Sequence, residues 1–166
     1  MALVIEDGSG RSDAESYVSL ADCDAYHTAR GNSAWTGDEA AKEAALLEAT
    51  AFVEDSYRGL WRGVRSKWEQ ALAWPRFGVV DQDGFQVPSD SLPSLLRAAV
   101  CEAALRAIEG DLTPDLDRGG QIKRQKVDVI ETEYKDEAPP GKVYPEIENK
   151  IACLLVNPHL ITTARG

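Results

Sequence analysis

Cysteine, histidine and methionine are scarce in this chain, whose 166 residues include 3 Cys, 2 His and 1 Met. Cys23, Cys101 and Cys153 are far apart and form no C-x-x-C pair. An odd, dispersed set of this kind argues against a disulfide framework, and reduced buried thiols are expected. His27 falls on the apolar side of a helical pattern and His159 lies near the C-terminal end; neither has the spacing of a zinc ligand. There is no G-x-S-x-G elbow, and Gly119-Gly120 before Lys123 lacks the spacing of a phosphate loop. Asp81, Asp83 and Gly84 look faintly like a calcium loop, but its twelfth position is Leu92, where a bidentate Glu is required. Long apolar runs are missing too. The most apolar stretch, Ile151 to Val156, is too short to cross a bilayer, and no basic-then-apolar leader opens the chain. The expectation is a protein with no metal, no cofactor, no membrane partner and no reaction centre, which stays in the compartment where it is made.

Positive charge is also short, and unevenly so. The formal net charge is −10. Residues 1–57 carry 3 basic and 12 acidic side chains, residues 58–110 carry 7 and 6, and residues 111–166 carry 8 and 10. An acidic chain is repelled by phosphate backbones unless a local basic patch compensates.

What the chain has is a globular balance, 43% hydrophobic and 28% charged, in a length suited to one domain. Its organising stretch runs from Pro88 to Gly110. Leu92, Leu95, Leu96, Ala99, Val100, Ala103, Ala104, Ala107 and Ile108 recur there with helical period. Asp90 and Ser91 suit a helix start, Pro93 suits a first turn and Gly110 a stop. The small alanines would let other helices approach closely. Upstream, Ser19 with Asp22 predicts a helix over Leu20–Arg30 closed by Gly31. The Thr36-x-x-Glu39 pattern predicts a capping box for a second helix from about Gly37 to Arg58. Ser66 is the candidate cap of a short helix over Lys67–Ala73. Phe77–Val80 and Phe85–Val87 flank the hairpin signal Asp83-Gly84. Residues 121–135 mix β-branched residues with charges, as a strand, hairpin or extended arm would. Pro145 opens a C-terminal helix whose stripe is Ile147, Ile151, Leu154 and Leu155. The fold class is therefore mainly α: a small helical bundle with a β-hairpin and an extended β arm. The whole chain 1–166 reads as one domain, with a helical body at about 17–110, an arm at about 118–142 and a terminal helix at about 145–156.

One constellation stands above background. Arg58, Trp61, Arg62, Arg65, Lys67, Trp68, Trp74 and Arg76 interleave cations with tryptophans, and Glu69 is the lone carboxylate among them. Aromatic rings beside cations hold single-stranded nucleic acid without reading its sequence; Trp61, Arg62, Arg65, Lys67 and Trp68 would form such a patch. The plainer reading makes the tryptophans a core edge under a loop, covered by arginine stems. A second basic cluster, Arg118, Lys123, Arg124 and Lys126, could face the acidic N-terminal region of another copy.

Four segments carry a resemblance: ALVIEDGSG at the start, DAESYVSLADCDAYHTARGN, QALAWPRFGVVDQDGF and VPSDSLPSLLRAAVCEAALRAIEGD. Together they resemble a family of tailed-bacteriophage and prophage proteins often labelled DnaT-like single-stranded-DNA-binding protein. The chain also looks like the small helical head–tail connector, or adaptor, proteins. The connector likeness implies a structural virion protein of the phage neck, found in the host cytoplasm during assembly. It implies a homo-oligomeric ring of twelve copies, with DNA passing through it and with a portal protein and a tail-side neck protein as partners. On that reading Ile147, Ile151, Leu154 and Leu155 dock on the portal, with packing on the chain's own core as the alternative. Ile122, Lys123, Arg124, Lys126, Val127 and Val129 would form an arm between subunits. The acidic charge favours the connector as the leading expectation; the DnaT-like label implies a single-stranded-DNA-binding replication accessory protein as its rival.

Overall fold

The computed structural model describes residues 3–113, 124–127, 130–133 and 144–156. Four α-helices form where the apolar period is strongest: α1 (Leu20–Arg30), α2 (Glu39–Ser56), α3 (Ser94–Glu109) and α4 (Pro145–Ile151), the last running into a 3₁₀ turn at Ala152–Leu154. Two short antiparallel ribbons complete the described elements. β1 (Val64–Arg65) pairs with β2 (Arg76–Phe77), and β3 (Arg124–Val127) pairs with β4 (Ile130–Glu133). The mainly helical class is thus established, and of the strand, hairpin or extended arm open for residues 121–135, the described residues pair as a hairpin. Ile122, Lys123 and Val129 of the expected arm, along with Arg118 and His159, lie outside the described residues.

α3 is the central element. It packs on α2 along one side and on α4 along another. Ala99, Ala103 and Ala104 are fully buried, so their missing side-chain bulk is what admits both neighbours. Against them lie Leu46, Ala49 and Val53 of α2 and Ile147 and Ile151 of α4. Polar cross-ties fix the register. Buried Glu102 on α3 accepts the Tyr26 hydroxyl of α1 at 2.7 Å and an Arg106 N–H at 3.1 Å. Arg106 also reaches Glu146 of α4 at 2.5 Å. Burial pushes the Glu102 carboxyl up, but the bonds from Tyr26 and Arg106 outweigh it and leave its pKa below the usual value.

The helix ends differ in part from expectation. Ser19 caps α1 through Asp22 N–H, and Gly31 closes it with φ +66°. For α2 the capping oxygen belongs to Asp38, which accepts from Ala41 N–H, so the Thr36 box does not form. Asp38 stands directly before the helix and offers the same geometry two residues later. α3 begins at Ser94, with Pro93 as a cap lacking a side-chain bond, so Asp90 and Ser91 stay outside.

The C-terminal stripe is a correction. Ile147, Ile151, Leu154 and Leu155 are no more than 2% exposed, all inside the chain's own core. Burial of each is worth about 1.5–3 kcal/mol, which outcompetes an exposed docking face. The segment also clamps the middle of the chain. Arg62 N–H donates to Leu154 C=O at 2.9 Å, Val156 N–H donates to Leu60 C=O at 2.8 Å, and Trp61 bridges Leu155.

A candidate nucleic-acid interface

That clamp positions the segment carrying the tryptophans and arginines. Residues 66–73 form no helix, because their amides are engaged elsewhere. The buried Gln70 side chain takes Lys67 N–H at 2.8 Å and donates to Leu72 C=O at 2.8 Å and Pro75 C=O at 3.1 Å. Ala71 N–H donates to Arg11 C=O at 2.8 Å, and Ala73 N–H donates to Glu54 at 2.9 Å. Trp74 N–H reaches the Tyr17 hydroxyl at 3.1 Å, and that hydroxyl donates to Glu54. Burial raises the Tyr17 pKa far above its usual value, and the nearby Glu54 adds to the rise. Burial likewise pushes the Glu54 carboxyl up.

The loop opens into β1 and β2, which place Val64 opposite Phe77 and Arg65 opposite Arg76. Gly63 makes the approach possible: at φ +67°, an added Cβ would stand 2.3 Å from Phe77 C=O. Beyond β2 the chain turns at Asp83-Gly84 as expected. Val80 bridges Gln86, Val87 N–H donates to Val79 C=O at 2.9 Å, and Asp81 Oδ1 accepts Phe85 N–H at 2.8 Å. The result is one folded ribbon over residues 64–87.

Its outer surface is aromatic and apolar. Trp68 is 85% exposed, Phe85 73%, Val64 62% and Phe77 59%. The exposure of Trp68 departs from the core-edge reading. Trp61 and Trp74 follow the plainer core-edge reading. Trp61 is 4% exposed and Trp74 is fully buried, packed edge to face with centroids 6.0 Å apart. Of the tryptophans expected in the patch, Trp68 is on the surface and Trp61 is removed from it. Phe77 and Phe85 are additions the sequence reading left as hairpin flanks. The signal for them was there: a two-stranded ribbon this short cannot bury both faces.

The cations are organised unusually. Arg62 donates to Leu155 C=O at 2.8 Å and Val80 C=O at 3.1 Å, and Arg65 donates to Gln70 C=O at 3.2 Å. Arg76 holds Arg62 C=O and Gly63 C=O at 2.7 Å and Ala73 C=O at 3.1 Å. Among the described residues, none of these guanidiniums forms an ion pair, whereas Arg11, Lys42, Arg58 and Arg106 do. Carbonyls fix a guanidinium without neutralising it, so the positive field survives beside the rings. Exposed Lys67 adds to it. Negative charge collects at the 81–84 turn, on Asp81 and Asp83, beside the Val80 carbonyl that Arg62 holds, and on exposed Glu69. Among the described residues no group of three His, Cys, Asp or Glu is placed to hold a metal ion, and no helix is long and apolar enough to cross a membrane.

Fold and surface together define a small, mainly α-helical protein with an aromatic–cationic ribbon held outside its core. Over residues 1–166 the chain matches the family described as "Putative DnaT-like ssDNA binding protein", and it belongs to that family. No curated protein and no solved structure matches it. The family overturns the leading expectation of a structural head–tail connector in a virion neck and favours the rival reading. The expectations of a portal partner, a twelve-copy ring and a neck location rested on the connector likeness alone.

Proposed function

We propose that this chain binds single-stranded DNA along the 64–87 ribbon, by stacking and charge, with no chemical step of its own. Trp68, Phe77 and Phe85 supply faces for successive bases, while Arg65 and Lys67, backed by Arg62 and Arg76, attract the phosphates. Every base has a π-face, so the binding is tolerant of sequence. The family description supports the ligand class. The observation that carries the site is the exposure of those rings beside arginines held by carbonyls instead of carboxylates. The test is fluorescence anisotropy of a labelled oligo-dT at low and at moderate salt. Micromolar affinity that weakens steeply with salt is expected. No binding at low salt removes the proposal.

A further inference from the structure

Between the C-terminal turn of α2 and the 61–76 loop lies a cavity of about 500 Å³. Its lining includes Arg58, Arg65, Arg76, Glu54, Trp61 and Ala71. The volume falls within the roughly 300–1,000 Å³ of small-ligand sites. The polar lining holds more positive than negative charge. Arg58, Arg65 and Arg76 line it against Glu54, and the Arg76 guanidinium is held on three backbone carbonyls. The Glu54 carboxylate is already occupied by the Tyr17 hydroxyl and Ala73 N–H. Arg58 pairs with Asp55 at 2.8 Å, but both side chains are largely exposed, so the pair is weak and easily exchanged. Arg65 gives one N–H to Gln70 C=O, and a guanidinium has five to offer.

We propose that this cavity binds a phosphate monoester, the phosphorylated end of a DNA strand whose body lies on the ribbon. The proposal rests on the single-strand reading above. A terminal phosphate carries about −1.5 to −2 at neutral pH, against −1 for a bridging diester, so it matches a surplus of guanidinium charge better. Arginine forks grip such a group through paired N–H donors. Shape points the same way. The interior of a strand runs across an exposed ribbon, whereas only an end can turn into a recess. Arg65 sits at the junction: it is exposed on the ribbon and lines the cavity.

The test compares dT oligomers bearing a 5′-phosphate, a 3′-phosphate or hydroxyls at both ends, together with dTMP alone. The proteins are the wild type, Arg58→Gln and Ala71→Phe. Residues 58 and 71 are both exposed, and thermal melts of the variants serve as a folding check. One phosphorylated oligomer is expected to bind about tenfold more tightly than the hydroxyl form, the usual scale of a charge-assisted contact. Both variants should erase that preference and leave the affinity for the hydroxyl oligomer within about twofold of wild type. Equal affinity for all three oligomers in the wild type overturns the proposal and leaves the ribbon reading intact. A preference that persists undiminished in both variants also overturns it. Failure of the hydroxyl oligomer to bind at all removes the ribbon reading. In that case the cavity stands only if dTMP changes the tryptophan fluorescence of the wild type and not of Ala71→Phe.

Discussion

Replacing Trp68 with alanine removes a ring that lies almost wholly in solvent. Stacking on such a ring is worth about 1–3 kcal/mol per base, so Trp68→Ala should weaken oligo-dT binding by about 5- to 150-fold. Its melting temperature should stay that of the wild type. Trp61→Ala makes the opposite pattern. Its indole fills the core between Tyr57 and Trp74, and emptying that space costs about 3–5 kcal/mol of stability. Paired urea melts and anisotropy titrations separate the two; a Trp68 variant that melts early or binds normally contradicts the assignment. A second residue-scale prediction concerns acid. Burial raises the Glu54 pKa above 4.5, so its contribution to stability is complete below 4.5 and fades as the pH rises through the elevated folded value. Asp24 is shifted the other way: the Lys42 ammonium bond lowers its pKa below 3.8 despite partial burial, and the Trp35 indole N–H helps. Its contribution, and that of Glu102, is present above the ordinary carboxylate range and is lost as the pH falls through the lowered folded values. In urea melts from about pH 3 to about 7, Glu54→Gln should therefore lack the decline that wild-type Glu54 causes above 4.5. It should keep the acid-side loss. Parallel curves would mean that Glu54 titrates normally.

At the scale of elements, the ribbon depends on close approach at Gly63. An added methyl at φ +67° would meet Phe77 C=O at 2.3 Å and Val79 Cγ2 at 2.8 Å. Gly63→Ala should thus part β1 from β2, lowering stability by about 2 kcal/mol or more through strain and lost hydrogen bonds. It should weaken oligonucleotide binding along with stability. Gly31→Ala is the control: φ is +66° there, but nothing lies within 4 Å, so only the conformational penalty of about 1 kcal/mol applies and binding is untouched. Such elements also show what could be read in advance. The helices were legible because 3.6-residue periodicity and caps are local: Ser19, Gly31, Pro145 and the alanine face of α3 can be read from neighbours. The 66–73 segment was not, because its conformation is set by partners remote in sequence. Gln70 closes the loop on itself, while Arg11 and Glu54 capture its amides from the other side of the fold and Tyr17 takes the next one, Trp74 N–H. The tryptophan patch was half legible for the same reason. Composition located it and offered both a patch and a core edge, but only tertiary packing could assign Trp61 and Trp74 to the core and Trp68, Phe77 and Phe85 to the surface.

For the molecule as a whole, a net charge of −10 weighs against nucleic-acid binding, and part of the acidic charge stands away from the ribbon. α2 has 18 residues and so separates its acidic start at Glu39 from the arginine-bearing loop beyond Ser56 by about 27 Å. At physiological salt the screening length is about 8 Å, so charge at the far end of α2 is scarcely felt at the ribbon. The acids that bear on the ribbon are nearer ones, Glu54 on Ala73 N–H and Asp13 on Arg11, whose C=O holds Ala71 N–H. If Arg62, Arg65 and Lys67 each displace one counterion, log K should fall against log salt with a slope of about −2, since each single-strand contact contributes about −0.7. Arg65→Ala should make that slope shallower by about 0.7 and weaken binding most at low salt. Glu39→Lys changes the net charge by two in the favourable direction, yet it should leave both slope and affinity close to wild type, because Glu39 is exposed and several screening lengths away. A Glu39→Lys protein that binds much more tightly, with an Arg65→Ala protein that binds as well as wild type, would mean that the strand follows the helical face instead of the ribbon.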